Sequence, residues 1–193
     1  MRVLVACECS GVVRDAFLAR GHDAISCDIK PTRSPGPHYH GDVRDILSQQ
    51  WDLLIAHPVC RYLTNAGVRW LHERSGRWEL MKEGAEFFKL FDRAGHIPKR
   101  IVENPVMHRY GLEIVGRKAT QFIQPYMFGD PFQKATGLWL TGLQKLVPEK
   151  VKSDYPEGSI KQEVWLMGPS EDREEKRSKT YPGFARAMAE QWG

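Results

Sequence analysis

Apolar positions along the chain come in short blocks, separated by stretches of helical spacing and by turn-forming residues. Arg2–Cys7 is a run rich in β-branched residues that stops at Ser10-Gly11, and Val12–Arg20 follows with helical spacing, predicting strand, tight turn and helix. Gly21-His22-Asp23 ends that helix, Ala24–Asp28 predicts a second strand, and the Pro- and Gly-rich stretch Pro31–Gly41 predicts a loop. Asp45–Gln49 predicts a short helix. Trp51–Ala56 predicts a strand closed by His57-Pro58, because proline cannot continue a central ladder. Trp78, Met81, Ala85, Phe88 and Phe91 lie at helical spacing within Arg77–Ala94, and Lys99–Glu103 is a strand stopped at Asn104-Pro105. Further on, Ala119–Pro125, Gly137–Leu143 and Val164–Met167 predict strands and Phe184–Gln191 a closing helix. Strands alternating with helices imply an α/β fold whose sheet is mostly parallel, with helices on both faces.

Composition narrows this picture. A chain of 193 residues with 41% hydrophobic residues and six tryptophans has the size of one domain, so residues 1–193 are expected to form a single unit. Twenty-eight basic against 24 acidic residues give a net charge of +4, a mild excess that favours an anionic partner. Cysteines at 7, 9, 27 and 60 show neither the paired spacing of a zinc site nor the spread of a disulfide framework, so free thiols in a reducing cytoplasm are expected. The N-terminal apolar run is too short for a signal segment, and no stretch approaches the roughly 18 apolar residues of a membrane span. No membrane partner is expected. His38 and His40 are only two imidazoles in a loop, and no metal is expected. The charged stretch at 171–179 reads as a solvated turn or mobile loop.

In an open parallel sheet, ligands sit beyond the carboxyl ends of the strands. Those positions here carry Glu8, Ser10 and Gly11, then Asp28, Asp42, then His57, Pro58 and Cys60, then Glu103, Asn104 and Pro105. Asp28 lies where a carboxylate accepts hydrogen bonds from the ribose of a nucleoside cofactor, and the absence of a three-glycine turn points to a cofactor without a pyrophosphate. Cys60 reads two ways, as a small packed hydrophobe or as a thiolate aimed at a ligand over the sheet. Glu103 alone reads as a solvated or capping acid. Together with Cys60 it gains a chemical meaning, since thiolate attack on carbon 6 of a pyrimidine needs protonation or hydrogen bonding at ring nitrogen 3. Cys7, Cys9 and Cys27 read as packed thiols, and Trp70 as a core tryptophan.

These segments resemble the cytosine-C5 DNA methyltransferases, and more closely their short variants from bacteriophages and prophages, over nearly the whole chain. Ala6–Gly11 resembles the cofactor-binding first motif, Asp28 the ribose-binding acid and Gly41-Asp42 the acid that meets the adenine. His57-Pro58-Val59-Cys60 resembles the Pro-Pro-Cys motif, Val102–Pro105 the Glu-Asn-Val motif, and Tyr181–Ala189 the closing segment that covers the cofactor. The resemblance implies a Rossmann-like S-adenosylmethionine-dependent methyltransferase fold, with S-adenosyl-L-methionine held by Glu8, Ser10, Gly11, Asp28, Asp42, His57 and Pro58. It implies catalysis by Cys60, Glu103 and Asn104, the last positioning the loop. DNA is the implied partner, with Arg61, Tyr62 and Asn65 as candidates to plug the gap left by a flipped cytosine and Arg109 or Lys134 holding a phosphate. Val59 stands where the family has a second proline, Ala135 where it has an arginine-bearing motif, and 143–178 is too short for a large target-recognition domain. Two alternatives remain open: a methyltransferase of free cytidine nucleotides, and a catalytically silent binding protein of the same fold. Adenine-N6 and cytosine-N4 enzymes place Asp, Asn or Ser before Pro-Pro, which His57–Cys60 does not match.

Overall fold

The computed structural model describes residues 1–162 and 180–193. The chain runs β1 (Arg2–Ala6), α1 (Val12–Leu18), β2 (Asp23–Asp28), β3 (His38–His40), α2 (Arg44–Leu47), β4 (Leu53–Ala56) and α3 (Trp70–Glu73). It continues α4 (Arg77–Asp92), β5 (Lys99–Pro105), α5 (Arg109–Val115), β6 (Gln121–Ile123), β7 (Thr136–Thr141) and α6 (Pro182–Trp192). The strands form one seven-stranded sheet in the order β3-β2-β1-β4-β5-β7-β6. The neighbours from β3 to β5 are parallel, whereas β7 runs antiparallel to both β5 and β6.

Alternation along each strand divides the core into two layers. Leu4, Ala6, Leu54, Ala56, Val102 and Trp139 face one side with Met81, Ala85, Phe88 and Phe91 of α4. Val3, Val5, Leu53, Ile55, Ile101 and Leu138 face the other with Val13 and Phe17 of α1 and Phe184, Ala187 and Met188 of α6. Because both faces are covered, the central strands are apolar at every position, as β4 is from Leu53 to Ala56. The helices α1 and α6 lie against each other.

The structure departs from the sequence reading at several places. Residues 38–40, expected in a loop, pair with β2 in the register Ser26↔His38. The short helix α5 was not legible because Gly111 is a poor helix former; it stands because the His108 ring accepts a hydrogen bond from the Gly111 amide, and the missing side chain lets Leu63 approach. Strand β5 runs through Pro105 instead of stopping at it. β4 pairs with β5 only as far as Val102, so beyond that point the β4 side of β5 is an edge, and Pro105 sits opposite Thr136 of β7. Trp70 is half-buried and flanked by Arg69 and Arg74, whose guanidinium carbons lie 4.1 Å and 3.9 Å from its ring centre, instead of packing in the core. The expected strand Val164–Met167 and the charged stretch 171–179 lie outside the described residues.

No helix among the described residues is long and apolar enough to cross a membrane.

Candidate active site

The turn after β1 is built around a buried acid. Glu8, 5% exposed, accepts hydrogen bonds from the Ser10 hydroxyl at 2.9 Å and from the Val13 and Arg14 amides at 2.8 Å and 3.3 Å. Its carboxylate therefore serves the open donors at the start of α1, where a negative charge is favoured. Cys7 and Gly11 both have positive φ, 59° and 79°. A side chain on Gly11 would run into the Arg14 guanidinium, so the turn requires glycine there on two counts.

Arg14 is fully buried, and the sequence reading passed over it as one polar position of a helix. Its guanidinium donates to the Ser26 and Thr32 hydroxyls, the Ser34 and Pro35 carbonyls and Asp15. These bonds fasten the segment 32–35 over the start of α1 and deliver the chain to β3.

Asp28 ends β2 next to this turn. One of its oxygens accepts the Lys30 amide at 2.9 Å, and among the described residues the other has no partner. Asp42, just past β3, engages Arg44 with both oxygens, from the backbone amide at 2.9 Å and the guanidinium at 2.8 Å, and these bonds hold its carboxyl below the usual range. Burial, with the charges of Asp28 and Asp42, pushes the Cys27 thiol up to about 12; the same two influences raise Cys7 further still. Burial and Asp28 also raise Cys9. These three are held as thiols and are poor nucleophiles. None of the four cysteines forms a disulfide.

The ends of β4 and β5 converge one residue past their last paired positions, Ala56 and Val102. There His57 Nδ1 lies 2.8 Å from Glu103 Oε2, the two side chains being 10% and 12% exposed. Asn104 Nδ2 donates to the Pro58 carbonyl at 3.3 Å, tying β5 to the loop that carries Cys60. The far side of that loop is pinned as well: the Leu63 amide donates to the Cys60 carbonyl, the His108 amide to Leu63, and Thr64 bridges Met107. The cysteine thus sits in a turn anchored at both ends, while the exposed Val59 presents its side chain to solvent. Two buried polar atoms at this point, His57 Nε2 and Asn104 Oδ1, have no partner among the described residues. Unsatisfied groups of this kind carry a desolvation penalty. His57, expected at the cofactor, is the partner of Glu103.

Glu103 also faces a narrow cavity lined by Ile123, Lys134, Thr136, Thr180, Tyr181 and Phe184. Burial raises its carboxyl, but the His57 hydrogen bond and the charge of Lys134 outweigh it and hold the pKa below the usual value. Glu103 is therefore favoured as a carboxylate in the free protein. Lys134 places a cation in the segment where Ala135 carries none. Tyr181 and Phe184 arrive through α6, whose start is held by Asp130 accepting from the Gly183 amide at 2.9 Å. Of the remaining substrate candidates, Asn65 and Arg109 share an open groove on the α3–α5 side, and Arg61 and Tyr62 follow Cys60 directly in the chain, the Arg61 guanidinium 6.0 Å from the Tyr62 ring centre. His38 and His40 hydrogen-bond to the Lys30 and Ile29 carbonyls, and among the described residues no three His, Cys, Asp or Glu side chains gather as a metal site.

The depressed pKa sets a pH dependence. A carboxyl with a lowered folded pKa adds stability that is full above its ordinary value, 4.5, and is lost as pH falls through the lowered one. We expect the stability difference between the protein and its Glu103→Gln variant, measured by urea unfolding, to be largest near neutrality and to shrink below about pH 4.5. A difference constant with pH would contradict a lowered Glu103 pKa.

No protein-family model and no curated protein matches the sequence. Solved structures do. The Entamoeba histolytica methyltransferase EhMeth superposes with a TM-score of 0.51 at 13% identity, over 78% of this chain and 57% of that one. The fold is that of the Rossmann-like methyltransferases. WbdD, crystallised with the kinase inhibitor LY294002, gives a TM-score of 0.41 at 14% identity over 76% of this chain and 37% of its own. The chain thus spans little more than half the length of the EhMeth structure.

Proposed function

We propose that the protein is an S-adenosylmethionine-dependent methyltransferase acting on carbon 5 of cytosine in DNA, with Cys60 as nucleophile. The observation that carries this reading is the convergence at the ends of β4 and β5. A cysteine loop is tied by Asn104 to the strand whose Glu103 is paired with His57 at 2.8 Å.

The residues at the rim fit the cofactor. Asp28 retains a carboxylate oxygen for a ribose hydroxyl, the turn at Cys7–Gly11 adopts positive φ at both ends, and Asp42 is held ionised beside it. When bound, S-adenosylmethionine supplies a methyl group on a sulfonium, which an electron-rich ring carbon takes up.

The chain's own part is to make carbon 5 electron-rich. The Cys60 thiolate forms a bond to carbon 6, the electrons of the 5,6 double bond move into the ring, and nitrogen 3 takes a proton from the Glu103–His57 pair. With Glu103 ionised in the free protein, the proton delivered to nitrogen 3 is one that enters the site with substrate. Lys134, in the same cavity, balances the carboxylate. After methylation a base removes the carbon 5 proton, the double bond re-forms, Sγ leaves and nitrogen 3 returns its proton. His57 Nε2 and Asn104 Oδ1, both buried and unpartnered, are suited to the polar edge of a base.

The test is transfer of labelled methyl from S-adenosylmethionine to cytosine-containing DNA, single-stranded and duplex, with free deoxycytidine nucleotides as a parallel substrate. Label recovered on carbon 5 of DNA cytosine is the expected result. Label on the free nucleotide alone would move the substrate, and cofactor binding with no transfer would leave a binding protein of this fold.

A further inference from the structure

The stretch from Arg61 to Trp78 carries four arginines, Arg61, Arg69, Arg74 and Arg77, against one acid, Glu73. Together with the start of α5 it forms an open groove of about 450 Å3 lined by Asn65, Arg69, His72, His108, Arg109 and Tyr110. Tyr110 is the centre of a ring cluster, with Trp78 at 5.1 Å, and His72 and His108 both at 5.9 Å, all edge-on. Guanidinium groups lie over rings throughout: Arg109 over Tyr110 at 4.5 Å, Arg69 and Arg74 over Trp70, and Arg77 over Tyr62 at 4.3 Å. Among the described residues, Arg69, Arg74 and Arg109 have no carboxylate partner, unlike Arg44, Arg117 and Arg186 elsewhere on the surface. Arginines held in place by aromatic rings and not tied up in close ion pairs form a surface suited to an anion that also has flat faces. The groove adjoins the loop that carries Cys60, since the His108 ring bonds to the Tyr62 carbonyl at 3.0 Å and Tyr62 is two residues from Cys60.

We propose that this groove binds an unpaired nucleic-acid strand, its phosphates on Arg69, Arg74 and Arg109 and its bases stacked on the ring and guanidinium planes, so that the substrate reaches Cys60 as a single-stranded or locally melted segment. Stacking platforms interleaved with arginine suit splayed bases, whose faces a duplex keeps hidden. A target already unpaired also avoids the cost of extrusion from a stack. This proposal rests on the reading of a nucleic-acid substrate above, but its test does not need turnover.

The experiment is fluorescence-anisotropy binding of a labelled cytosine-containing strand of about ten nucleotides, its duplex form, and an abasic strand of equal charge. The full chain is compared with a triple variant, Arg69→Gln, Arg74→Gln and Arg109→Gln. We expect the single strand to bind at least about tenfold tighter than either the duplex or the abasic strand. In the triple variant, checked for unchanged thermal unfolding, its affinity falls at least about tenfold, and the slope of log affinity on log salt drops by about 2. Duplex bound as tightly, an abasic strand bound as tightly, or a triple variant that binds normally would each overturn the proposal. Single-strand binding intact in a protein that transfers no methyl group would remove the methyltransferase reading and leave the groove.

Discussion

Replacing Cys60 by serine is expected to lower methyl transfer to DNA cytosine by about 10^4-fold or more, the scale of removing a nucleophile, while cofactor affinity changes by less than about twofold. Serine keeps the backbone carbonyl of residue 60 that accepts from the Leu63 amide, and the Pro58 carbonyl still receives Asn104. What is lost is the thiolate. A hydroxyl is far harder to ionise and, with the Glu103 carboxylate committed to His57, gains no base in exchange. Glu103→Gln should be milder, about 10^2- to 10^4-fold, as for loss of one acid–base group. The measurements are single-turnover label transfer and calorimetric titration of S-adenosylmethionine on the same preparations. A serine variant that retains activity would exclude covalent attack by Cys60, and one that loses cofactor binding in step would mean the loop had collapsed.

The second large effect is on stability. Arg14→Leu should cost about 3–5 kcal/mol in urea unfolding, because its guanidinium is fully buried and is the shared partner of Ser26, Thr32 and the carbonyls of Ser34 and Pro35. Removing it takes away the side chain that joins α1 and β2 to this segment, and hydrogen bonds to a charged group are the stronger kind. The 32–35 segment should then become the preferred site of limited proteolysis, and the affinity for S-adenosylmethionine should fall, since this segment bonds to the Cys9 carbonyl of the β1 turn and follows Asp28 in the chain. A loss below about 1 kcal/mol would mean the segment holds its course without the arginine.

Much of this architecture could be read from residue patterns. The apolar runs at 2–7, 24–28, 51–56 and 99–103 are strands β1, β2, β4 and β5, and the spacing of Met81, Ala85, Phe88 and Phe91 is the buried stripe of α4. Such signals are local: a strand buried on both faces is apolar throughout, and a helix on a sheet repeats every three to four residues. Residues just beyond each run, among them Asp28, His57, Cys60 and Glu103, were legible for the same reason, since the end of a run marks the end of a strand.

Partnerships across the sheet were not legible in this way. That His57 belongs to Glu103 follows from β4 and β5 being neighbours in register, and nothing within either segment states it. Lys134 reaches the Glu103 cavity because the antiparallel β7 follows it beside β5, and Trp70 leaves the core because two arginines flank its ring. Arg14 looked like one polar position of a helix and is the most deeply engaged charge in the described chain. Residue patterns alone mark the segments that become strands and helices and the residue types that stand at the rim, because burial on a face imposes a short-range period. Which of those residues meet depends on strand order and register, and these arise from pairing between segments tens of residues apart.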